Sequence, residues 1–209
     1  MKAHTRESQA TMTPAKSLQY LKEGNLRFQR NLKANRNLLE QVNDTSDGQF
    51  PFATILSCID SRVSAELVFD QGLGDIFSIR IAGNFINQDI LGSMEFACKL
   101  AGTKLLVVLG HTSCGAVKGA CDHARMGHLT TLIHKIEPAV AAVKEPKDES
   151  LRNSGNAEFV DAVSEVNVKM AIENIRDQSK ILADMERDGE IAIVGAMYDL
   201  STGAVTFYD

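Results

Sequence analysis

Four short apolar runs, separated by longer stretches, are the feature that most constrains how this chain can fold. They occupy residues 52–57, 76–82, 105–110 and 191–197. Strands that are covered on both faces are typically near-continuous in apolar residues, and helical stretches between them favour a parallel sheet. A fifth piece, 204–208, follows a turn-like segment closely enough to pair antiparallel with the fourth. The sequence therefore predicts an α/β fold with a mainly parallel central sheet of four strands plus an edge strand, flanked by helices.

A helix near the N-terminus is predicted by a capping signal. Thr13 suits the cap, and Pro14 suits the first helical position. Apolar residues then recur along one side, at Leu18, Leu21, Phe28 and Leu32. A polar stretch, 35–49, separates this helix from the first strand, so its apolar side has two candidate partners, the chain's own sheet or another subunit. We expect residues 1–34 to form a helical arm of a single domain, 1–209, and to pack on a partner subunit.

Two further helices are predicted from apolar residues at spacings of three and four. The first covers 88–101, with the apolar positions Leu91, Met94, Cys98 and Ala101 and with Gly102 as its stop. The second has the apolar positions Val168, Ile172, Ile175 and Leu182 and ends at Gly189. Between them, 144–156 is charged and rich in turn-forming residues, which is typical of a solvated loop.

The composition excludes several classes of protein. With 44% hydrophobic and 23% charged residues in 209, the chain resembles neither a disordered nor a collagen-like sequence. Its formal net charge of -5 gives no general attraction to nucleic acid or to an anionic membrane. No apolar run is long enough to cross a bilayer, and residues 1–16 lack the apolar segment of a secretory signal. We therefore expect a cytoplasmic protein that binds neither nucleic acid nor membrane.

Cysteine and histidine residues follow two of the predicted strands. Cys58 comes directly after the first strand, His111 directly after the third, and Cys114 three residues later. Because the carboxyl ends of parallel strands meet at one edge of a sheet, we expect these side chains to cluster. Two thiolates and one imidazole suit zinc better than magnesium or calcium, and they leave a fourth position for water or substrate. The pattern therefore favours a catalytic zinc site.

Other interpretations of these three residues stay open at this point. A closed zinc site could only staple two strands, or the side chains could be buried without a metal. His111 and Cys114 could also act as base and nucleophile, which would leave Cys58 without a role. Structural zinc sites usually draw on paired cysteine motifs, whereas Cys58 stands alone in the sequence. That difference favours the catalytic interpretation.

Asp60 and Arg62 continue the segment that begins at Cys58. Residues two apart on an extended chain point to the same side, so both can join the cluster. A carboxylate at this place either binds zinc and closes the site or accepts a hydrogen bond from a zinc-bound water. Bidentate pairing with a guanidinium favours the second role. An ordinary salt bridge at the end of a strand explains the two residues equally well.

The motifs C-x-D-S-R at 58–62 and H-x-x-C at 111–114, in this order of strands and helices, resemble those of the beta class of carbonic anhydrases. The resemblance extends over nearly the whole chain. It implies one zinc ion per chain, held by Cys58, His111 and Cys114. It also implies that Asp60 is an orienting acceptor, or a fourth ligand in a closed state, and that Arg62 is its partner. N-terminal helices that reach a neighbouring subunit, and homodimers or homotetramers, belong to the same resemblance.

By this resemblance the chain is a lyase that hydrates carbon dioxide reversibly to bicarbonate and a proton by means of zinc-bound hydroxide. The positions that line the substrate pocket in the family correspond here to Gln49, Phe77 and Phe96. Many members have Tyr at the third position, so Phe96 lacks a hydroxyl but still supplies an apolar wall. Two alternatives stay open: a carbon disulfide or carbonyl sulfide hydrolase on the same scaffold, and a non-catalytic zinc-stapled binding protein.

Some bacterial members of the family have a second, inhibitory bicarbonate site built from Trp, Arg and Tyr. The Trp position is Ile55 in this chain, whereas Arg80 matches the Arg and Tyr198 the Tyr. The chain contains no Trp. We therefore expect no inhibitory bicarbonate site of that type.

Overall fold

The computed structural model describes residues 2–208, and the strands in this part of the chain form one five-stranded sheet. The strands are β1 (Ala53–Ser57), β2 (Ile76–Arg80), β3 (Leu105–His111), β4 (Ala192–Tyr198) and β5 (Val205–Phe207). They lie in the order β2-β1-β3-β4-β5, and β5 alone runs antiparallel to its neighbour. The predicted α/β class, with four parallel strands and an antiparallel edge strand, is confirmed.

Parallel pairing brings the carboxyl ends of β1 and β3 to the same edge of the sheet. Ser57, the last residue of β1, pairs with Leu109, and β3 continues to His111. Both strands are buried along their whole length, which explains their near-continuous apolar sequences. The segments that follow β1 and β3 therefore start side by side.

Nine α-helices accompany the sheet within the described part of the chain. They are α1 (Arg6–Ala10), α2 (Pro14–Gln29), α3 (Leu38–Asp44), α4 (Ala65–Val68), α5 (Gln88–Glu95), α6 (Gly115–Cys121), α7 (Gly127–Ala142), α8 (Ala157–Gln178) and α9 (Lys180–Arg187). A π-helical turn, Phe96–Leu100, continues α5, and a 3-10 turn covers Glu149–Leu151. None of the helices in residues 2–208 is both long enough and apolar enough to span a membrane.

Helices cover both faces of the sheet. On one face, α5, α8 and α9 bury Met94, Val168 and Leu182 against the strands. On the other face, α2 and α4 bury Leu21 and Val68. A third apolar cluster joins α6, α7 and the first turns of α8 beyond the carboxyl ends of the strands. This third cluster supports the edge at which β1 and β3 end.

The N-terminal helix begins as predicted, since Thr13 caps α2 and Pro14 is its first residue. Of the two candidate partners for its apolar side, the chain's own sheet is the one that Leu21 contacts, and Leu21 is fully buried there. Leu26 and Leu32 remain exposed, and Leu32 lies beyond the end of the helix. The arm is therefore anchored on its own domain through one side and leaves other apolar residues uncovered.

Two predicted helices differ from the structure. The C-terminal one is two helices, because Ser179 leaves the helical conformation and its side chain caps α9. The helix over 88–101 keeps α-helical geometry only to Glu95 and then becomes the π-helical turn. Five of the described helices go beyond the prediction: α1, α3 (inside the polar stretch 35–49), α4, α6 and α7.

Candidate metal centre

Two cysteines and a histidine meet at the edge of the sheet where β1 and β3 end. Cys58 follows β1, His111 is the last residue of β3, and Cys114 is the N-cap of α6. Their side-chain ligand atoms all lie within 4.8 Å of one another, and the two Sγ atoms are 3.9 Å apart. All three residues are buried. Across residues 2–208, this is the one group of Cys, His and acidic side chains with the geometry to hold a metal ion.

The imidazole of His111 is oriented by its neighbour in the chain. Its Nδ1–H donates to the carbonyl oxygen of Thr112 at 2.9 Å, because a carbonyl oxygen can only accept. This bond fixes the tautomer in which Nε2 carries a free lone pair. The Nε2 atom is buried and has no hydrogen-bond partner. A buried acceptor without a partner is costly, and a metal ion would satisfy it.

The thiols of Cys58 and Cys114 have opposite shifts in acidity. The hydrogen bond from Cys114 lowers the pKa of the Cys58 thiol to about 4. The same contact, together with burial, raises the pKa of the Cys114 thiol well above its usual range. Two buried thiolates at this distance repel each other, so both carry their charge only when a cation lies between them. The pair of sulfurs is therefore suited to a cation.

A backbone amide also points at the Cys58 sulfur. The N–H of Gly83, in the turn after β2, donates to Sγ at 3.4 Å. Gly83 has a φ of +79°, and a Cβ at this position would lie 2.4 Å from Cδ1 of Ile136. Only glycine allows the backbone to approach so closely in this conformation. The sequence analysis did not predict a role for this amide. The available signal was a glycine directly after a predicted strand that ends at the same edge of the sheet.

The donor set fits zinc. Two sulfurs and one imidazole nitrogen are ligands that zinc prefers, and the unpaired Nε2 supplies the lone pair that such an ion needs. Three protein ligands leave a coordination position for a small molecule, which is typical of catalytic rather than structural zinc.

Asp60 and Arg62 form a bidentate ion pair beside these ligands. Nε of Arg62 donates to Oδ1 at 2.9 Å, and a terminal nitrogen donates to Oδ2 at 2.7 Å. The backbone amide of Arg62 also donates to Oδ1, at 2.9 Å. The bonds from Arg62 hold the pKa of Asp60 well below its usual range. Asp60 is therefore a carboxylate and an acceptor, and it lies outside the group of ligand atoms.

Arg80 holds the backbone of the same segment from the end of β2. Its Nε donates to the carbonyl of Cys58 at 3.0 Å, and a terminal nitrogen donates to the carbonyl of Asp60 at 2.6 Å. The sequence gives one indication of a role for Arg80, namely that it occupies the Arg position of the inhibitory bicarbonate site described above. The other two positions of that comparison, Ile55 and Tyr198, are both buried in the core.

Within one chain, the predicted pocket residues lie apart from the three candidate ligands. The rings of Phe77 and Phe96 pack edge to face with centroids 6.3 Å apart. Both border a surface depression beside the edge strand β2, and none of the three ligands lines it. Phe96 is 53% exposed, and Gln49 is exposed in the segment between α3 and β1. Phe77 and Phe96 therefore border a depression that is separate from the candidate ligands of the same chain.

Known proteins are similar to this chain in sequence and in fold. A family model described as "Carbonic anhydrase" matches residues 53–205. The protein named "Carbonic anhydrase 2" of Mycobacterium tuberculosis (strain ATCC 25618 / H37Rv) is 33% identical over 202 residues, which cover 94% of this chain and 93% of that protein.

Two solved structures have a similar fold. The beta-carbonic anhydrase CcaA is 24% identical with a TM-score of 0.70, over 93% of this chain and 86% of that one. A structure from a report on two tetrameric beta-carbonic anhydrases of Sordaria macrospora is 20% identical with a TM-score of 0.67, over 78% of this chain and 82% of that one.

Proposed function

The chain belongs to the beta class of the carbonic anhydrase family and is a carbonic anhydrase, and we propose how its own residues carry out the reaction. Cys58, His111 and Cys114 hold one zinc ion, and the reaction is the reversible hydration of carbon dioxide to bicarbonate and a proton. The observation that carries this assignment is the buried, unpaired Nε2 of His111, on a ring that has a ligand nitrogen within 4.8 Å of the Cys58 and Cys114 sulfurs. Zinc bound there supplies a Lewis acid that lowers the pKa of water toward about 7.

Asp60 orients the reacting water. Its Oδ1 already accepts two hydrogen bonds from Arg62, whereas Oδ2 accepts one, so Oδ2 has the greater capacity to accept another. Because the pKa of Asp60 lies well below its usual range, the carboxylate accepts a hydrogen bond and does not give up a proton near neutral pH. Arg62 keeps the carboxylate in this role.

Gln49, Phe77 and Phe96 line the substrate pocket of a neighbouring subunit. This assignment is supported by the exposure of Phe96 and Gln49 and by the position of Phe77 on the edge strand β2, with the ring of Phe96 packed against it. The phenylalanine rings would exclude water from a partner's site, and the Gln49 amide would donate to a substrate oxygen. The protein accordingly assembles as a homodimer or homotetramer, and the Sordaria macrospora relatives are tetrameric.

Residues 1–34 contribute to the same assembly as an arm of a single domain, 1–209. Leu26 and Leu32 are 49% and 62% exposed, although the same arm buries Leu21 on its own sheet. Exposed leucines on both sides of the end of α2 favour contact with a second subunit.

We further propose that the chain lacks an inhibitory bicarbonate site of the Trp type. Ile55 is fully buried in the core, and the guanidinium of Arg80 already donates to two backbone carbonyls. An anion bound to Arg80 would compete with those bonds. Carbon dioxide hydration should therefore not be inhibited cooperatively by bicarbonate.

The test is stopped-flow carbon dioxide hydration from about pH 6.5 to 9, on protein whose zinc content has been measured. We expect one zinc per chain and a rate that rises with pH, because two thiolate ligands offset the charge of the ion and make its water less acidic. Removal of zinc with a chelator should abolish the rate, and added zinc should restore it. One zinc per chain without hydration at any pH would contradict the assignment.

A further inference from the structure

Given the zinc site proposed above, on which this inference rests, we propose that Asp161 and Asn167 of α8 are positioning residues for the metal ligands. Neither residue touches a ligand side chain in a described hydrogen bond. Asp161 instead binds the loop that presents His111 and Cys114, and Asn167 binds the turn whose Gly83 amide donates to Cys58. One helix thereby fixes both loops relative to each other.

Asp161 binds the loop between His111 and Cys114. Its Oδ1 accepts a hydrogen bond from the backbone N–H of Ser113 at 2.8 Å. Ser113 has a φ of +54°, a left-handed conformation that is unfavourable for a residue with a side chain. A strained residue persists only where its surroundings hold it in place. The carboxylate of Asp161 binds the amide of this strained residue. It thereby fixes the direction in which the chain runs from the end of β3 to Cys114.

Asn167 binds the turn that carries the amide directed at Cys58. Its Nδ2 donates to the carbonyl of Gly83 at 2.8 Å, and the N–H of Gly83 donates to the Cys58 sulfur. Asn167 is 4% exposed, so this hydrogen bond is shielded from water. The amide of Gly83 can reach the sulfur only if the turn keeps its position. Asn167 holds that position from the other side of the turn.

The two contacts have a shared geometric consequence. Asp161 and Asn167 lie six residues apart on one helix, and from Val168 onward α8 packs against β3 and β4. A shift of α8 would move the Ser113 amide and the Gly83 amide together, and with them the directions of both sulfurs. Replacing a residue whose hydrogen bonds orient the metal ligands typically changes metal affinity by about 10-fold to 100-fold. The same two side chains could instead only dock the helix, in which case metal binding would not depend on them.

The test measures zinc affinity by competition with a chromophoric chelator, on the full chain. Asp161→Ala and Asn167→Leu should each raise the zinc dissociation constant about 10-fold or more. Asp161→Asn keeps an oxygen that can accept from Ser113, so it should stay within about threefold of the original protein. Ser164→Ala is the matched control. Ser164 lies between the two residues, is buried like Asn167, and donates within its own helix, to Val160 at 2.9 Å.

A second readout separates positioning from loss of folding. In the cobalt-substituted protein, thiolate-to-metal absorption reports the geometry at the two sulfurs. Asp161→Ala and Asn167→Leu should shift these bands, whereas Ser164→Ala should leave them unchanged. Urea unfolding of the metal-free variants measures the fraction of each variant that is folded. It therefore shows how much of any loss of zinc affinity comes from a decrease in that fraction.

Three results would overturn the inference. Zinc affinity and cobalt bands could be unchanged in Asp161→Ala and Asn167→Leu. The loss of affinity could match the loss of folded protein, or Ser164→Ala could have the same effect as the other two. Failure of the unaltered protein to bind zinc would instead remove the proposed function, and this inference with it. Zinc binding by the unaltered protein together with unchanged variants would remove this inference alone.

Discussion

At this site, the chemistry of a residue depends on which of its lone pairs its hydrogen bonds leave free. The carbonyl of Thr112 takes the proton-bearing side of His111, so Nε2 faces the two sulfurs without a partner. Arg62 occupies three of the acceptor positions of Asp60 and leaves capacity on Oδ2. The chain thus presents three atoms with the geometry to hold a metal ion and one oriented acceptor, and the hydrogen bonds of His111 and Asp60 leave a lone pair free on each of these two side chains.

Asp60→Asn should lower kcat/KM for carbon dioxide hydration by about 100-fold. The amide cannot accept two charge-assisted hydrogen bonds from Arg62, and its NH2 group would face the guanidinium. Stopped-flow hydration with measured zinc content tests this, and zinc content should stay at its original level because Asp60 lies outside the ligand group. Asp148→Asn is a matched control: Asp148 also accepts from the amide two residues on, but it lies in an exposed turn. An Asp60→Asn variant with most of its activity would exclude the orienting role.

The residues of the site were predictable to different degrees. Cys58, His111 and Cys114 could be placed together because two of them mark strand ends, and parallel strands end at one edge. The Gly83 amide left one signal, a glycine directly after a predicted strand, but the sequence does not show which group a backbone N–H will bind, and Asp161 left no signal. An aspartate 47 residues after Cys114 also has no spacing pattern that links it to the metal loops.

At the level of secondary structure, strands were easier to predict than helix breaks. Buried strands repeat apolar residues continuously, and all five strands lie within the predicted runs to within one or two residues. The break at Ser179 has no such signal, because serine also occurs inside helices and the apolar period continues across it. In α7, apolar residues at helical spacing are present, but no side chain caps its start, and Pro138 inside it is a residue that usually ends a predicted helix.

Ser179→Ala should lower the free energy of unfolding by about 1 to 2 kcal/mol. Ser179 is 1% exposed, its Oγ accepts from the Leu182 amide at 3.2 Å, and it donates to Glu95 at 2.6 Å. Alanine removes the cap of α9 and leaves the buried side of Glu95 without that donor. Urea unfolding measures the change. Ser179→Asn keeps an acceptor for the cap and a donor for Glu95, so it should recover part of the loss; equal loss in both variants would show that the cap contributes little.

At the scale of the whole molecule, the exposed apolar residues beside β2 bear on assembly. Phe96→Glu should raise the dimer dissociation constant at least about 30-fold, since a central aromatic residue at an interface is commonly worth ~2 kcal/mol or more. Hydration activity should fall with the assembled fraction, because the pocket of one subunit would lack the other's rings. Sedimentation velocity measures the assembly. Leu151→Glu, at a position 49% exposed against 53% for Phe96, is the control and should stay assembled.

The acid stability of the whole chain depends on Asp70, which ties the N-terminal arm to the domain. Its carboxylate is 5% exposed and forms ion pairs with Arg27 at 2.5 Å and Arg36 at 2.6 Å. The amide of Ala34 donates to it as well, at 3.1 Å. Burial alone raises the pKa of Asp70, but the bonds from Arg27, Ala34 and Arg36 together outweigh burial and lower it.

Asp70→Asn should therefore cost about 3 kcal/mol of unfolding free energy at neutral pH, because two largely buried guanidinium groups lose their counter-charge. A carboxyl whose pKa is lower in the folded chain stabilises that chain fully above its unfolded pKa of about 3.9. This contribution is lost as the pH falls through the folded value, so the difference between the two proteins should shrink below about pH 4. Urea unfolding from about pH 7 to 3 measures it, with Asp47→Asn, in an exposed turn, as the control. A difference that stays constant down to about pH 3 would mean that the charge of Asp70 does not hold the arm to the domain.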